Sequence, residues 1–173
     1  MIEELRREVE ARRGYAVDDR ERKSIERFLD ETTRLERPFD EDADPVHVTA
    51  SAIVVGERGT VLHLHKRLGL WLQPGGHIDA DESPADAALR EAWEETGLPV
   101  SHPPDGPRFV HVDVHPGPKG HTHLDVRYLI YSPDVDPDPG EDESPFVRWF
   151  DFDEAIGLAD PGLRGALVAL RNG

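Results

Sequence analysis

Residues 83–98 are punctuated as a helix at both ends, and this bracketing constrains the chain more than any other feature. Ser83 is a good N-cap, since its hydroxyl can accept a hydrogen bond from a free first-turn N–H. Pro84 follows at the first helical position, Asp86 lies three residues after the cap, and Gly97 is placed to end the helix in a left-handed turn. Ala85, Ala88, Leu89 and Ala92 make one face small and apolar, so that face can lie close against a sheet. Glu91, Glu94 and Glu95 occupy another. At about 100° per residue they fall within about a third of the helix circumference. Like charges so close cost an isolated helix a few tenths of a kcal/mol per pair, roughly. A hard cation removes that penalty, because Mg²⁺ prefers carboxylate oxygen. Glu82, just ahead of the helix, adds a fourth carboxylate, and Arg90 is spaced to pair with Glu94. For the three glutamates taken alone, a solvated acidic face is the competing reading.

The flanking chain alternates between strand and helix signals. Residues 1–37 read as helical and charged, with capping-box spacing from Asp18 to Glu21. Ile25, Phe28, Leu29, Thr32 and Leu35 then form a narrow apolar stripe at helical spacing. Such a stripe must be covered by the main domain, by a second subunit, or as a lid over the site. A turn-rich link leads to strands at about 47–55 and 61–67, then to a loop read from Leu68 to Ser83. After the helix come strands at 108–115, 124–132 and 146–151, then two helices. The expected class is α/β, a mixed sheet with helices on its faces, divided into a helical extension over 1–37 and a main domain over 45–173.

Composition narrows the partners. The 173 residues carry a net charge of −16, which opposes binding to nucleic-acid backbones or anionic membranes, and no basic patch offsets it. A small phosphorylated substrate stays compatible, because bound divalent cations reverse the local field. There is no cysteine, which excludes thiolate metal sites and cysteine nucleophiles. The first residues, MIEELRREVEARR, lack the apolar stretch of a signal peptide, so a cytoplasmic location is expected.

The spacing around the helix carries a resemblance. Gly76, five residues, Glu82, seven, Arg90-Glu91, two, Glu94-Glu95, one, Gly97-Leu98: this resembles the Nudix box, with Ala92 standing where the family usually has a larger aliphatic residue. The lead-in Trp71-Leu72-Gln73-Pro74-Gly75-Gly76 is also similar to the family's, although Gln73 is less usual there. The resemblance implies a Nudix-type α/β/α sandwich. It implies Mg²⁺- or Mn²⁺-dependent hydrolysis of a phosphoanhydride bond in a nucleotide-like substrate. It also implies that Glu91, Glu94 and Glu95 are metal ligands, with Glu82 and a Gly75 or Gly76 carbonyl contributing. Arg90 would hold a glutamate in place. Glu95, or an acid of the loop at 133–145 such as Glu143, would be the base.

Other residues invite roles of their own. Arg67, Trp71, His77 and Tyr128 are candidate substrate contacts; for Trp71 core packing competes, and Tyr128 and Arg127 fall on opposite strand faces. His111, Asp113 and His115 share one strand face, and His121, His123 and Asp125 could meet them across a hairpin. A second metal site, substrate contact, or an ordinary polar face are the three readings of that group. Two other functions compete with hydrolysis. One is a non-catalytic nucleotide sensor; the other is an isopentenyl diphosphate isomerase, disfavoured because those enzymes use a cysteine. The apolar N-terminal stripe makes a homodimer an expectation as well.

Overall fold

The computed structural model describes residues Met1–Asn172. Two N-terminal helices, α1 (Ile2–Arg12) and α2 (Asp19–Arg34), precede the first strand. The strands are β1 (Val46–Gly56), β2 (Gly59–Leu64), β3 (Trp71–Leu72) and β4 (Gly75–His77), then β5 (Arg108–Pro116), β6 (Thr122–Tyr131) and β7 (Val147–Phe150). Helix α3 (Pro84–Thr96) sits between β4 and β5, and α4 (Phe152–Leu158) and α5 (Pro161–Asn172) follow β7.

One sheet runs in the order β3-β2-β1-β6-β5, with β4 paired to β1 and β7 to β2. It is mixed: β1 and β6 are parallel, and the other pairs are antiparallel. Successive residues of β1 point to opposite faces. Val48, Ala50, Ala52 and Val54 join the core under α1, α2 and α3, whereas Ile53 joins a second core under α4 and α5. The result is the expected α/β/α sandwich. One edge of β1 is shared by two antiparallel partners: its far end pairs with β2 at Val55↔Thr60, and its near half pairs with β4 at Thr49↔His77 and Ser51↔Gly75. The sheet opens between those two partners.

Two expectations need correction. The segment after Leu68 is not all loop, because Trp71–Leu72 and Gly75–His77 form short strands against β2 and β1. Strand β2 ends at Leu64 rather than Arg67: His65 N–H donates to the Leu70 carbonyl at 2.9 Å and Gly69 N–H to the His65 carbonyl, which closes a turn there. The N-terminal stripe is covered by the chain's own sheet. Of the three covers open to it, packing on the main domain is the one formed: Ile25 and Phe28 are fully buried in the first core, each contributing about 1.5–3 kcal/mol of burial.

Polar contacts fix the same docking. Asp18 caps α2 by accepting from Glu21 N–H at 2.8 Å. The Glu21 carboxylate, fully buried, accepts from Arg12 Nε at 2.9 Å, from Val17 N–H at 2.6 Å and from Val112 N–H on β5 at 3.3 Å. Ser24 Oγ accepts from Val114 N–H at 3.0 Å. Strand β5 is an edge, and α2 thus satisfies N–H groups that an edge strand otherwise leaves open.

Candidate active site

Local chemistry shapes α3 as its sequence requires. Ser83 Oγ accepts from Asp86 N–H at 3.1 Å, Pro84 begins the first turn, and Gly97 ends the helix at φ 65°. Ala85, Ala87, Ala88 and Ala92 are buried, so α3 lies close on β1 and β4. Closeness is the point of the small residues: a Cβ on Gly76 would collide with the Glu91 carboxylate. Glycine at 76 and alanines on α3 therefore bring the glutamates onto the β4 backbone.

Arg90 organises the acids. Its guanidinium donates twice to Glu82, at 3.0 and 3.1 Å, once to Glu91 at 2.7 Å and once to Glu94 at 3.0 Å. A fifth bond, 2.9 Å long, goes to the His77 carbonyl. The planar fork suits this task, since it presents five donors in fixed directions. Hydrogen bonding to Glu82, against the cost of burial, holds the Arg90 pKa above its ordinary value.

Glu95 is placed differently. Its carboxylate accepts from Gly75 N–H at 2.9 Å and lies 3.6 Å from His63 Nδ1. Burial pushes its pKa up to about 8, against the Gly75 N–H and with help from the charges of Glu91, Glu143 and Glu94. Burial likewise raises Glu91. His63, 6% exposed, is pushed down to about 4 by burial and is therefore a neutral neighbour. The cluster is oxygen-rich and short of cations, with one guanidinium for several acids. Such a donor set fits a hard divalent ion such as Mg²⁺ or Mn²⁺.

A cavity of about 430 Å³ opens beside Glu95 where β2 and β4 part. Gly75, His63, Gln73 and Ser51 line it, with Arg127 and Asp125 on its floor. Asp125 is 1% exposed and accepts from Ser51 Oγ at 2.6 Å, Thr49 Oγ1 at 3.2 Å and Arg127 Nε at 2.9 Å. Arg127 also donates to the Gly162 carbonyl at 2.7 Å. The sequence reading missed the Thr49–Ser51–Asp125 floor. The signal was there, as polar residues at alternate positions in strands otherwise built of Val and Ala.

The remaining candidates divide. Glu82, Arg90, Glu91 and Glu94 form one ion-pair cluster; Glu95 and Gly75 face the cavity. Glu143 lies close enough for its charge to raise both Glu91 and Glu95. Trp71 packs edge-on against Phe150 at 4.8 Å between ring centres, with the Arg148 guanidinium 5.6 Å from its ring, a packing role outside the cavity lining. Arg67 is exposed in the turn after β2 and does not line the cavity. Tyr128 must be corrected: it is 4% exposed, in the core beside Phe109, on the sheet face opposite Arg127 and the cavity. His77 turns its ring away from the glutamates toward His47 and His123.

Known proteins resemble this chain in sequence and in fold. The NUDIX domain model matches residues 45–170. Phosphatase NudJ of Escherichia coli K12 is 32% identical over 127 residues, covering 71% of this chain and 78% of that protein. A NUDIX-family hydrolase structure from Clostridium perfringens superposes with a TM-score of 0.61 at 27% identity, over 73% of this chain and 94% of that one. The Ap4A hydrolase of C. elegans shares the fold, with a TM-score of 0.59 at 18% identity, over 72% of this chain and 95% of that one.

Proposed function

This chain belongs to the NUDIX family and is a hydrolase of phosphorus-containing anhydrides, and from that premise we propose that it cleaves the diphosphate bond of a nucleotide-like substrate with Mg²⁺ or Mn²⁺. The substrate class is a nucleoside diphosphate linked to another moiety, or a nucleoside triphosphate. The observation that carries this reading is the convergence of Glu82, Glu91 and Glu94 on Arg90, beside Glu95 at the mouth of the cavity.

Glu91, Glu94 and Glu95 would hold the cation, with Glu82 and the Gly75 carbonyl beside them. When bound, the ion supplies charge neutralisation on the diphosphate and activation of a water molecule. The chain's own residues do the rest. Arg90 fixes three carboxylates in one geometry, so little reorganisation is needed when substrate arrives. The Gly75 N–H orients Glu95 toward the cavity, where its carboxylate either holds the ion or takes a proton from the attacking water; in the first case Glu143 is the acid left to take it. Ser51, Gln73 and the Asp125–Arg127 pair present a polar wall to the substrate.

The test is release of phosphate or nucleotide from a panel of nucleoside triphosphates, ADP-ribose, nucleotide sugars and dinucleoside polyphosphates, with Mg²⁺ and then Mn²⁺. Metal-dependent turnover that is lost in Glu94→Gln supports the reading and names the substrate class. Tight nucleotide binding without turnover of any member would replace it with a sensor.

Gly76→Ala supplies a geometric check. The added methyl meets the Glu91 carboxylate and displaces it from Arg90. Since a shift of about 1 Å can cost about 10²-fold in rate, kcat should fall by roughly that factor while the circular dichroism spectrum stays native. An unchanged kcat would show that the contact between Gly76 and Glu91 does not matter to the reaction.

A further inference from the structure

Three histidines from three neighbouring strands meet at one end of the sheet. His47 on β1 stands opposite His123 on β6, and His77 on β4 stands opposite Thr49, two places along β1. One ring nitrogen from each lies within 4.8 Å of the other two. The ring centres are 5.1 Å apart for His47–His77, 5.1 Å for His47–His123 and 5.6 Å for His77–His123.

Their hydrogen bonding is unusual for buried imidazoles. His47 is fully buried, and its Nδ1 lies 3.2 Å from the Asp44 carbonyl. A carbonyl only accepts, so Nδ1 carries the proton and Nε2 keeps its lone pair. His77 Nδ1 lies 3.4 Å from a Glu41 carboxylate oxygen, which favours the same tautomer. The Nε2 atoms of His47, His77 and His123 are all buried and all without a hydrogen-bond partner. Buried polar atoms are rarely left so, and three together cost free energy unless something shared satisfies them. A ring whose Nδ1 donates to a carbonyl or carboxylate while Nε2 is free is the arrangement of a metal-ligating histidine with its outer partner. The Gly117 turn closes over the group: a Cβ there would collide with the His123 ring.

We propose that His47, His77 and His123 form a second cation site, chemically distinct from the glutamate cluster, that takes a borderline divalent ion such as Zn²⁺ through three imidazole nitrogens. Three neutral nitrogens and no carboxylate suit Zn²⁺, Ni²⁺ or Cu²⁺ and are poor ligands for Mg²⁺. Three histidines also leave a fourth position open in a tetrahedral site. That position matters, since His123 lines the same cavity as Glu95. An ion there would place positive charge beside a wall of that cavity, through His123.

The experiment is titration of the chelator-stripped full-length chain with Zn²⁺ in excess Mg²⁺, followed by calorimetry. About one equivalent of Zn²⁺ is expected to bind despite the Mg²⁺. His77→Ala should weaken that binding by about 100-fold or more, judged against the 10–100-fold lost with an outer partner alone. Glu94→Gln should leave it unchanged, because that residue belongs to the other site. Loss of Zn²⁺ binding in Glu94→Gln with none in His77→Ala would overturn the assignment, as would displacement by Mg²⁺. If the His77 variant does not fold, the wild-type chain loaded with Co²⁺ decides instead. Strongly shifted proton resonances from three imidazole Nδ1–H groups support the site, and a spectrum without them rejects it.

Discussion

Glu95→Gln is expected to lower metal-dependent turnover by about 10²-fold or more while leaving the metal-free protein at least as stable as the parent. Loss of a single electrostatic group at a reacting centre commonly costs 10²–10³-fold, roughly. Stability should follow another course. The Glu95 side chain is 15% exposed, its one hydrogen bond comes from the Gly75 N–H, and its imidazole neighbour His63 is neutral. Gln keeps the shape and can still accept from Gly75, and it removes a carboxyl whose ionisation the fold disfavours, since burial pushes its pKa up to about 8 beside Glu91 and Glu94. Added Mg²⁺ should raise the Tm of the parent more than that of the variant, because only binding to the folded state stabilises it. Kinetic assays beside calorimetric melts in chelator and in Mg²⁺ check both parts. A Tm that falls along with activity would mean Glu95 supports the fold rather than the chemistry.

Arg127→Met should destabilise the protein by about 3–5 kcal/mol, lowering Tm by about 10 °C. Arg127 is 2% exposed, and it is ringed by acceptors: Asp125 Oδ2 at 2.9 Å, the Gly162 carbonyl at 2.7 Å and Asp113 at 3.8 Å. Methionine fills much of the volume but none of the charge, so Asp125 is left buried with only the Ser51 and Thr49 hydroxyls. Asp113 is better protected, because Arg20 from α2 donates to both of its oxygens at 2.7 and 3.0 Å. The added substitution Asp125→Asn removes the stranded charge and should recover part of the loss, a coupling that a double-mutant cycle measures. Thermal melts of the four proteins are sufficient. Additive changes across the cycle would show that the two side chains act independently.

These two sites differ in how far the sequence exposed them. The glutamates lie within one helix turn or two, so a fixed rotation per residue brings them together before any tertiary contact is known. Arg127 and Asp125 alternate on one strand, which was legible; that Ser51 and Thr49 complete the floor was not, because the parallel register of β1 against β6 had to be known first. Tyr128 failed as a substrate contact for a related reason. Alternation separates it from Arg127, but only the packing of the helices says which face is core and which is cavity.

The sequence alone determined the bounds of α3, since Ser83, Pro84 and Gly97 act on the backbone within one turn of themselves. It determined the placement of the acids on that helix and the mixed α/β class, because both are written in short-range periodicity. Tertiary structure decided what covers the stripe of α2: Ile25 and Phe28 could have been satisfied by any apolar surface, and burial against the chain's own sheet is a choice made by global packing. It also decided the meeting of His47, His77 and His123, which come from three strands far apart in sequence. Strand pairing carries no sequence mark of its partner, so what gathers at a sheet's end depends on every register at once.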